Sequence, residues 1–249
     1  MIKSLKKSIY TLYTNLPWKT NINPATVDYD KAFDFFKKRD KYYTELMDAV
    51  TPLIGKQEPI IDVGANIGYF TLILFERYGF TGKADLFEPV SHLHSLCEQT
   101  FRKTGYEVTI HPFALGAKNE KSKIFLAADG NIGWNTLVAG KAGRKMQEEM
   151  ITVRKFDDLD IPLPRFIKID VEGAEWMVLE GMMGKLTAAA VKPVILCELG
   201  WGSNHPQFNE VMKTFFKLKG LGYQTCDLRR NPIDISLLTD TTDILLLPE

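Results

Sequence analysis

The spacing of apolar residues divides the chain into two unlike parts. Over residues 28–53, Phe33, Phe36, Tyr43, Leu46, Met47 and Val50 fall mostly three or four apart. That spacing gathers side chains on one face of a helix. Asn23-Pro24 precedes the stretch, and Thr51-Pro52 and Gly55 close it, so a helical segment between breakers is predicted. Further upstream, Ile2, Leu5, Ile9, Leu12 and Tyr13 recur at helical spacing among Lys3, Lys6, Lys7 and Lys19, with no acid in residues 1–20. The expectation there is a short helix packed on the body of the protein, with weak contact to a membrane surface or partner as the alternative. Residues 1–55 are read as an N-terminal helical cap and 56–249 as the main domain.

Beyond residue 58 short apolar runs alternate with helical stretches. Strands are expected at 59–63, 83–88, 107–112, 121–127, 150–154, 165–170, 193–198, 223–227 and 243–247. Helices are expected at 67–78, 90–103, 174–183 and 208–219. This rhythm predicts an α/β fold, a doubly wound and mainly parallel sheet covered on both faces. The strands at 121–127 and 150–154 have no helix between them. A Gly/Asn-rich loop at 129–143 separates them instead and is read as a lid.

Composition narrows the function. The chain has 249 residues, 45% of them hydrophobic, with 31 Lys+Arg against 31 Asp+Glu. A chain of this size buries a full core without staples. Its neutral balance lacks the electrostatic footprint of a nucleic-acid binder. Cys97, Cys197 and Cys226 are widely spaced with no C-x-x-C, which argues against a zinc site or disulfide framework and for reduced thiols in a cytoplasmic protein. No apolar run approaches the length of a membrane span, and the start does not read as a signal peptide.

The most informative stretch is Asp62-Val63-Gly64-Ala65-Asn66-Ile67-Gly68, after an apolar strand and before a helix. Glycines there permit a tight turn and close backbone approach to a ligand. The dinucleotide fingerprint G-x-G-x-x-G is not met, and no Gly-Lys-Ser/Thr follows to make a P-loop. A carboxylate at Asp62 would repel a pyrophosphate but suit a cationic amino-acid ligand. Twenty residues past Gly68 comes Glu88, closing Asp85-Leu86-Phe87-Glu88-Pro89. A carboxylate at the tip of the second strand can accept hydrogen bonds from both ribose hydroxyls. Together the two features point to a nucleoside site.

At this point the chain resembles the class I S-adenosylmethionine-dependent methyltransferases. The form of the first loop resembles the FkbM family in particular. So does the run Phe166-Ile167-Lys168-Ile169-Asp170-Val171-Glu172-Gly173-Ala174-Glu175, followed by Val178-Leu179-Glu180-Gly181. The resemblance spans about residues 58–200. It implies a Rossmann-like, seven-stranded sheet with an antiparallel last strand, and S-adenosyl-L-methionine as cofactor. It further implies O-methylation of a hydroxyl, often on a sugar or secondary metabolite. By the same resemblance Asp62, Gly64, Ala65, Asn66 and Gly68 would face the methionine half of the cofactor. Glu88 and Pro89 would lie at its ribose, and Phe113, Ala114 and Leu115 at its adenine. Asp170 would close the site.

An alcohol is a poor nucleophile and needs a base or a metal. Ligands of doubly wound sheets react at the carboxyl ends of the strands. Asp170, Glu172 and Glu198 fall at such ends. Lys168 shares a strand face with Asp170, and His205 follows Glu198 in a glycine-rich loop. The catalytic candidates are Asp170, Glu198, His205 and Lys168. Asp170 is read alternatively as a helix cap, and Glu172 and Glu175 as acids favoured at a helix start. Asp170 and Glu198 together offer carboxylates to a divalent ion, but no third ligand is evident, so no metal is expected. His92, His94 and His111 are read as surface or packing residues. Trp134 and Trp201 are candidate walls for a sugar ring, or ordinary partly buried residues. Asn135-Thr136-Leu137 resembles an Asn-Ser-Leu element of the family. Arg144 and Lys145 either meet an anionic acceptor or are solvated.

The partner expected is a small-molecule or glycan hydroxyl acceptor. Two other readings compete. An N- or nucleic-acid methyltransferase would bring an Asn/Asp-Pro-Pro-Tyr-like run after the fourth strand, where Asp170-Val171-Glu172-Gly173 stands instead. A non-enzymatic, cofactor-binding scaffold would not need Asp62, Gly64, Gly68 and Glu88 all intact.

Overall fold

The computed structural model describes residues 22–127, 131–139 and 146–249. The helix expected upstream of residue 22, Asp129 of the lid, and Arg144 and Lys145 lie outside these residues.

Seven strands form one sheet. They are β1 (Ile60–Val63), β2 (Ala84–Phe87), β3 (Val108–His111), β7 (Phe166–Ile169), β8 (Val194–Leu199), β9 (Tyr223–Cys226) and β10 (Thr242–Pro248). Their order is β3-β2-β1-β7-β8-β10-β9. All neighbours run parallel except β10, which is antiparallel to both β8 and β9. Chain direction in the order reverses outward from β1, so β1 and β7 flank the topological switch point, where ligands bind in such sheets. The central strands β1, β2 and β7 are buried at every position. That explains their continuous apolar runs, since both faces of a parallel sheet are covered.

Helices α3 (Tyr69–Tyr78), α4 (Ser91–Phe101), α5 (Glu175–Ala188) and α6 (Phe208–Gly220) connect the strands. Two apolar clusters result, one on each sheet face. A short second sheet, in the order β4-β6-β5, joins β4 (Ala114–Leu115), β5 (Glu120–Ala127) and β6 (Met146–Arg154). Here β6 begins four residues earlier than its apolar pattern suggests. Its first half, Met146–Met150, is largely exposed, and exposed strand residues carry no hydrophobic signal.

The helical segment at 28–53 is two helices rather than one, α1 (Tyr29–Lys37) and α2 (Asp40–Val50). Asp28 caps α1 by accepting from the Lys31 backbone at 2.9 Å, a favoured N-cap arrangement. These helices cover α3, which is buried from Tyr69 through Phe75 and so needs apolar neighbours all round. Phe33, Phe36 and Tyr43 close on the Tyr69 ring at centroid distances of 5.4, 5.7 and 5.0 Å. The Tyr69 hydroxyl donates to Asp40 at 3.2 Å. No helix among the described residues is long and apolar enough to cross a membrane.

Candidate active site

The site begins with a charged residue inside a buried strand. Asp62 is 0% exposed, and a carboxylate there demands partners. Register supplies one, because Asp62 on β1 stands opposite Lys168 on β7. The Lys168 Nζ lies 3.1 Å from Asp62 Oδ1, 3.3 Å from the Gly64 carbonyl and 3.3 Å from Asp170 Oδ2. Thr71 of α3 donates to the other Asp62 oxygen at 2.9 Å. Burial alone would lower the Lys168 pKa, but Asp170 and then Asp62 outweigh it and hold the ammonium above its usual value. Lys168 is therefore a fixed cation that cannot accept a proton.

The glycine loop rests on this pair. Gly64 has φ +77°, and a Cβ there would stand 1.9 Å from the Asp170 carbonyl oxygen. Glycine is required both for the left-handed backbone and for this approach of β1's end to β7's. Gly64 and Ala65 donate to the Phe87 carbonyl at 3.0 and 3.1 Å, which binds the loop to the tip of β2. Asn66, at φ 55°, fills another left-handed position, one that asparagine tolerates.

Glu88 closes the other side. Its Oε2 accepts from the Asn66 backbone and its Oε1 from that of Val90, each at 2.9 Å. Burial pushes its pKa up to about 7, against the lowering effect of these two N–H groups. A carboxylate offers about four lone-pair positions, so each oxygen retains one.

Two pockets open at the carboxyl ends of the strands. Gly64, Asn66, Glu88, Pro89, Ala114 and Asp170 line the first, roofed by Asn135 and Leu137 of the lid. The Asn66 side chain ties that lid down by donating to the Ile132 carbonyl at 2.7 Å. Thr136 donates to the Glu172 carbonyl at 2.6 Å. The second pocket is walled by Phe36, Tyr42 and Tyr43 on one side and by Asp170, Glu172 and Glu198 on the other. Trp134 and Asp243 also line it. The two pockets share Asp170 and Gly133.

Several expected residues take other places. Asp62, Ala65 and Gly68 do not line the first pocket. Asp62 points beneath the loop toward α3, and a Cβ on Gly68 would press on Phe101 at 2.5 Å. His205 is 4% exposed. Its Nε2 is 2.7 Å from the Gly173 carbonyl, and its Nδ1 accepts from the Gln207 backbone at 2.9 Å. Both nitrogens are therefore engaged, and no lone pair is left for a substrate proton. Trp201 lies against His205, with ring centroids 5.1 Å apart and the planes tilted by 32°, and crowds Gly173 rather than lining either pocket. No side chain caps the start of α5, Asp170 included; Glu175, its first residue, accepts from the Gly173 backbone at 2.8 Å and so secures the preceding turn. His92 and His111 bond to the Val27 carbonyl and to Asp85, at 2.6 and 2.9 Å.

Glu172, expected at the same strand end but read as an acid favoured at a helix start, converges with Asp170 and Glu198. One ligand oxygen each of Asp170, Glu172 and Glu198 lies within 4.8 Å of the others. Glu172 has φ 54°, and this left-handed turn breaks strand alternation and brings it beside Asp170. Tyr42, Tyr43 and Asp243 went unread. The Tyr42 hydroxyl donates to both Asp243 oxygens, at 3.0 and 3.2 Å. An aspartate opening the last strand and two adjacent tyrosines in a helix were the available signals.

Sheet order and the antiparallel β10 define a class I methyltransferase fold, with a pocket at the switch point. A family model, the methyltransferase FkbM domain, matches residues 62–225. The chain belongs to the FkbM methyltransferase family. An FkbM methyltransferase from Methylobacillus flagellatus KT shares 17% identity over 78% of this chain with a TM-score of 0.52. This chain spans 44% of that one. An SAM-dependent O-methyltransferase of Thermotoga maritima is 16% identical over 82% of this chain and 63% of its own, with a TM-score of 0.43. A precorrin-6y C5,15-methyltransferase of Geobacter metallireducens is 12% identical over 82% of this chain and 87% of its own, with a TM-score of 0.44. No curated protein matches the sequence.

Proposed function

We propose that the protein transfers a methyl group from S-adenosyl-L-methionine to a hydroxyl of a small molecule, a sugar or glycan being the favoured acceptor. The observation that carries this reading is the pair of pockets meeting at Asp170. The first pocket fits a nucleoside cofactor. Glu88 keeps lone pairs for ribose hydroxyls, Ala114 and Leu115 offer an apolar slot for a base, and Gly64 and Asn66 line the same pocket. When bound, the cofactor supplies an electrophilic methyl on a sulfonium. The aromatic wall of Phe36, Tyr42 and Tyr43 suits the apolar face of a sugar ring. Carboxylates opposite it suit hydroxyl donors.

Within this reading Asp170 orients the acceptor hydroxyl beside the cofactor pocket, since positioning is the main demand of methyl transfer. Glu198 takes the hydroxyl proton. Burial raises its pKa well above the usual carboxylate range, and Asp170, Glu172 and Asp243 add to that. A carboxylate so shifted is a stronger base than one in water. Lys168 positions Asp170 and the Gly64 carbonyl. Asp62 supports the loop from below, and His205 anchors the turn at Gly173. Helices α1 and α2 cap the acceptor pocket through Phe35, Phe36, Tyr42 and Tyr43.

Calorimetric titration with S-adenosylhomocysteine, run beside NAD, tests the cofactor. Micromolar binding of the first ligand alone is expected. A folded protein that binds neither, or only NAD, refutes the reading. Asp170→Asn is expected to keep that affinity while methyl transfer to screened glycan acceptors is lost.

A further inference from the structure

We propose that Asp170, Glu172 and Glu198 form a binding site for one divalent metal ion of the Mg2+, Mn2+ or Ca2+ kind. Three carboxylate oxygens from two strand ends lie within 4.8 Å of one another. Around a single Ca2+, ligand distances of about 2.3–2.6 Å put opposite oxygens about 4.6–5.2 Å apart, and Mg2+ at about 2.0–2.1 Å draws them to about 4.2 Å. The three oxygens therefore lie no farther apart than ligands of a single calcium ion can, and the smaller magnesium ion requires them to draw closer.

The second observation is Glu198 itself. It is 9% exposed and lines the second pocket. Among the described residues its carboxylate receives no hydrogen bond and makes no ion pair. Such a group is costly unless a ligand completes it. Neither neighbouring cation pairs with Glu198. Lys168 is engaged by Asp62 and Asp170. Arg39 lies across the pocket with its guanidinium 3.6 Å over the Phe35 ring, donating to the Phe35 carbonyl at 2.9 Å. Asp243 adds a fourth carboxylate to the same pocket. Four carboxylates thus line one pocket, and a set of oxygen-only donors selects a hard cation.

Three protein oxygens leave about half of an octahedral shell open. The open positions face the pocket, available to water or to an acceptor hydroxyl. An ion there would hold that oxygen beside Asp170 and polarise it. This role rests on the O-methyltransferase reading, whereas the site itself rests only on the carboxylates.

The test is a Mn2+ titration of the full chain, with free Mn2+ read by electron paramagnetic resonance and Mg2+ and Ca2+ as competitors. S-adenosylhomocysteine affinity is measured on the same samples by calorimetry. One bound Mn2+ per chain is expected, weakened at least tenfold by Glu198→Gln and by Glu172→Gln. Cofactor-product affinity should stay within threefold in both. Circular dichroism checks folding, and Glu172→Gln, on an irregular turn, carries the test where Glu198→Gln does not fold. Absence of stoichiometric Mn2+ binding at millimolar concentration overturns the proposal, as does binding that neither variant weakens. Loss of S-adenosylhomocysteine binding with Mn2+ binding intact would instead overturn the methyltransferase reading and leave the metal site standing.

Discussion

Replacing Glu88 by glutamine separates the cost of a buried charge from its use. Glu88 is 4% exposed, and its pKa rises from 4.5 to about 7 in the folded protein, with burial as the dominant cause. A raised folded pKa means that the folded state prefers the protonated group. The associated stability is fully present below the unfolded value of 4.5 and is lost as pH rises through about 7. Integrated between about pH 5 and pH 8, that loss is about 2 kcal/mol. Glutamine does not titrate, so Glu88→Gln should escape it. At about 2–4 °C per kcal/mol for a chain of this length, Tm of the variant relative to the unsubstituted protein should rise by roughly 4–8 °C between those pH values. Differential scanning fluorimetry without ligand at several pH values measures this. S-adenosylhomocysteine affinity should fall at least tenfold in the same variant, because charged acceptors make the stronger hydrogen bonds, about 1.5–3 kcal/mol each. Parallel Tm–pH curves for the two proteins would refute the burial argument. Unchanged affinity would remove Glu88 from the ribose site.

Lys168→Met leaves Asp62 buried and without its ion-pair partner, a change worth about 3–5 kcal/mol, so Tm should drop by roughly 6–20 °C, and a drop under 2 °C would contradict the pairing. His205→Ala removes the bonds to Gly173 and Gln207. It should cost about 1–3 kcal/mol of stability while kcat stays within about threefold, and a hundredfold loss of kcat at unchanged Tm would restore His205 as a base.

The α/β class, the parallel strands and the glycine loop were legible because each leaves a local mark. Strands buried on both faces read as apolar runs, and Gly64 must be glycine wherever the loop touches Asp170. Glu88 was legible from its distance along the chain, since one βαβ unit places the tip of the second strand beside the first loop. The second pocket was not. Tyr42, Tyr43 and Asp243 meet only because α2 packs across the end of β10, and no periodicity encodes that meeting. Asp62 shows the same limit from the other side. Its identity invited a ligand contact, but strand alternation turned it inward toward Lys168 and Thr71.

Periodicity and glycine placement are properties of neighbouring residues, so the order of amino acids was enough for the sheet, the loop and the family. Convergence of charges is a property of distance in space. The left-handed turn at Glu172 and the pairing of β7 with β8 bring Asp170, Glu172 and Glu198 within reach of one ion, and the cap helices close the pocket above them. Those contacts join residues far apart in the chain, and folding alone brings them together.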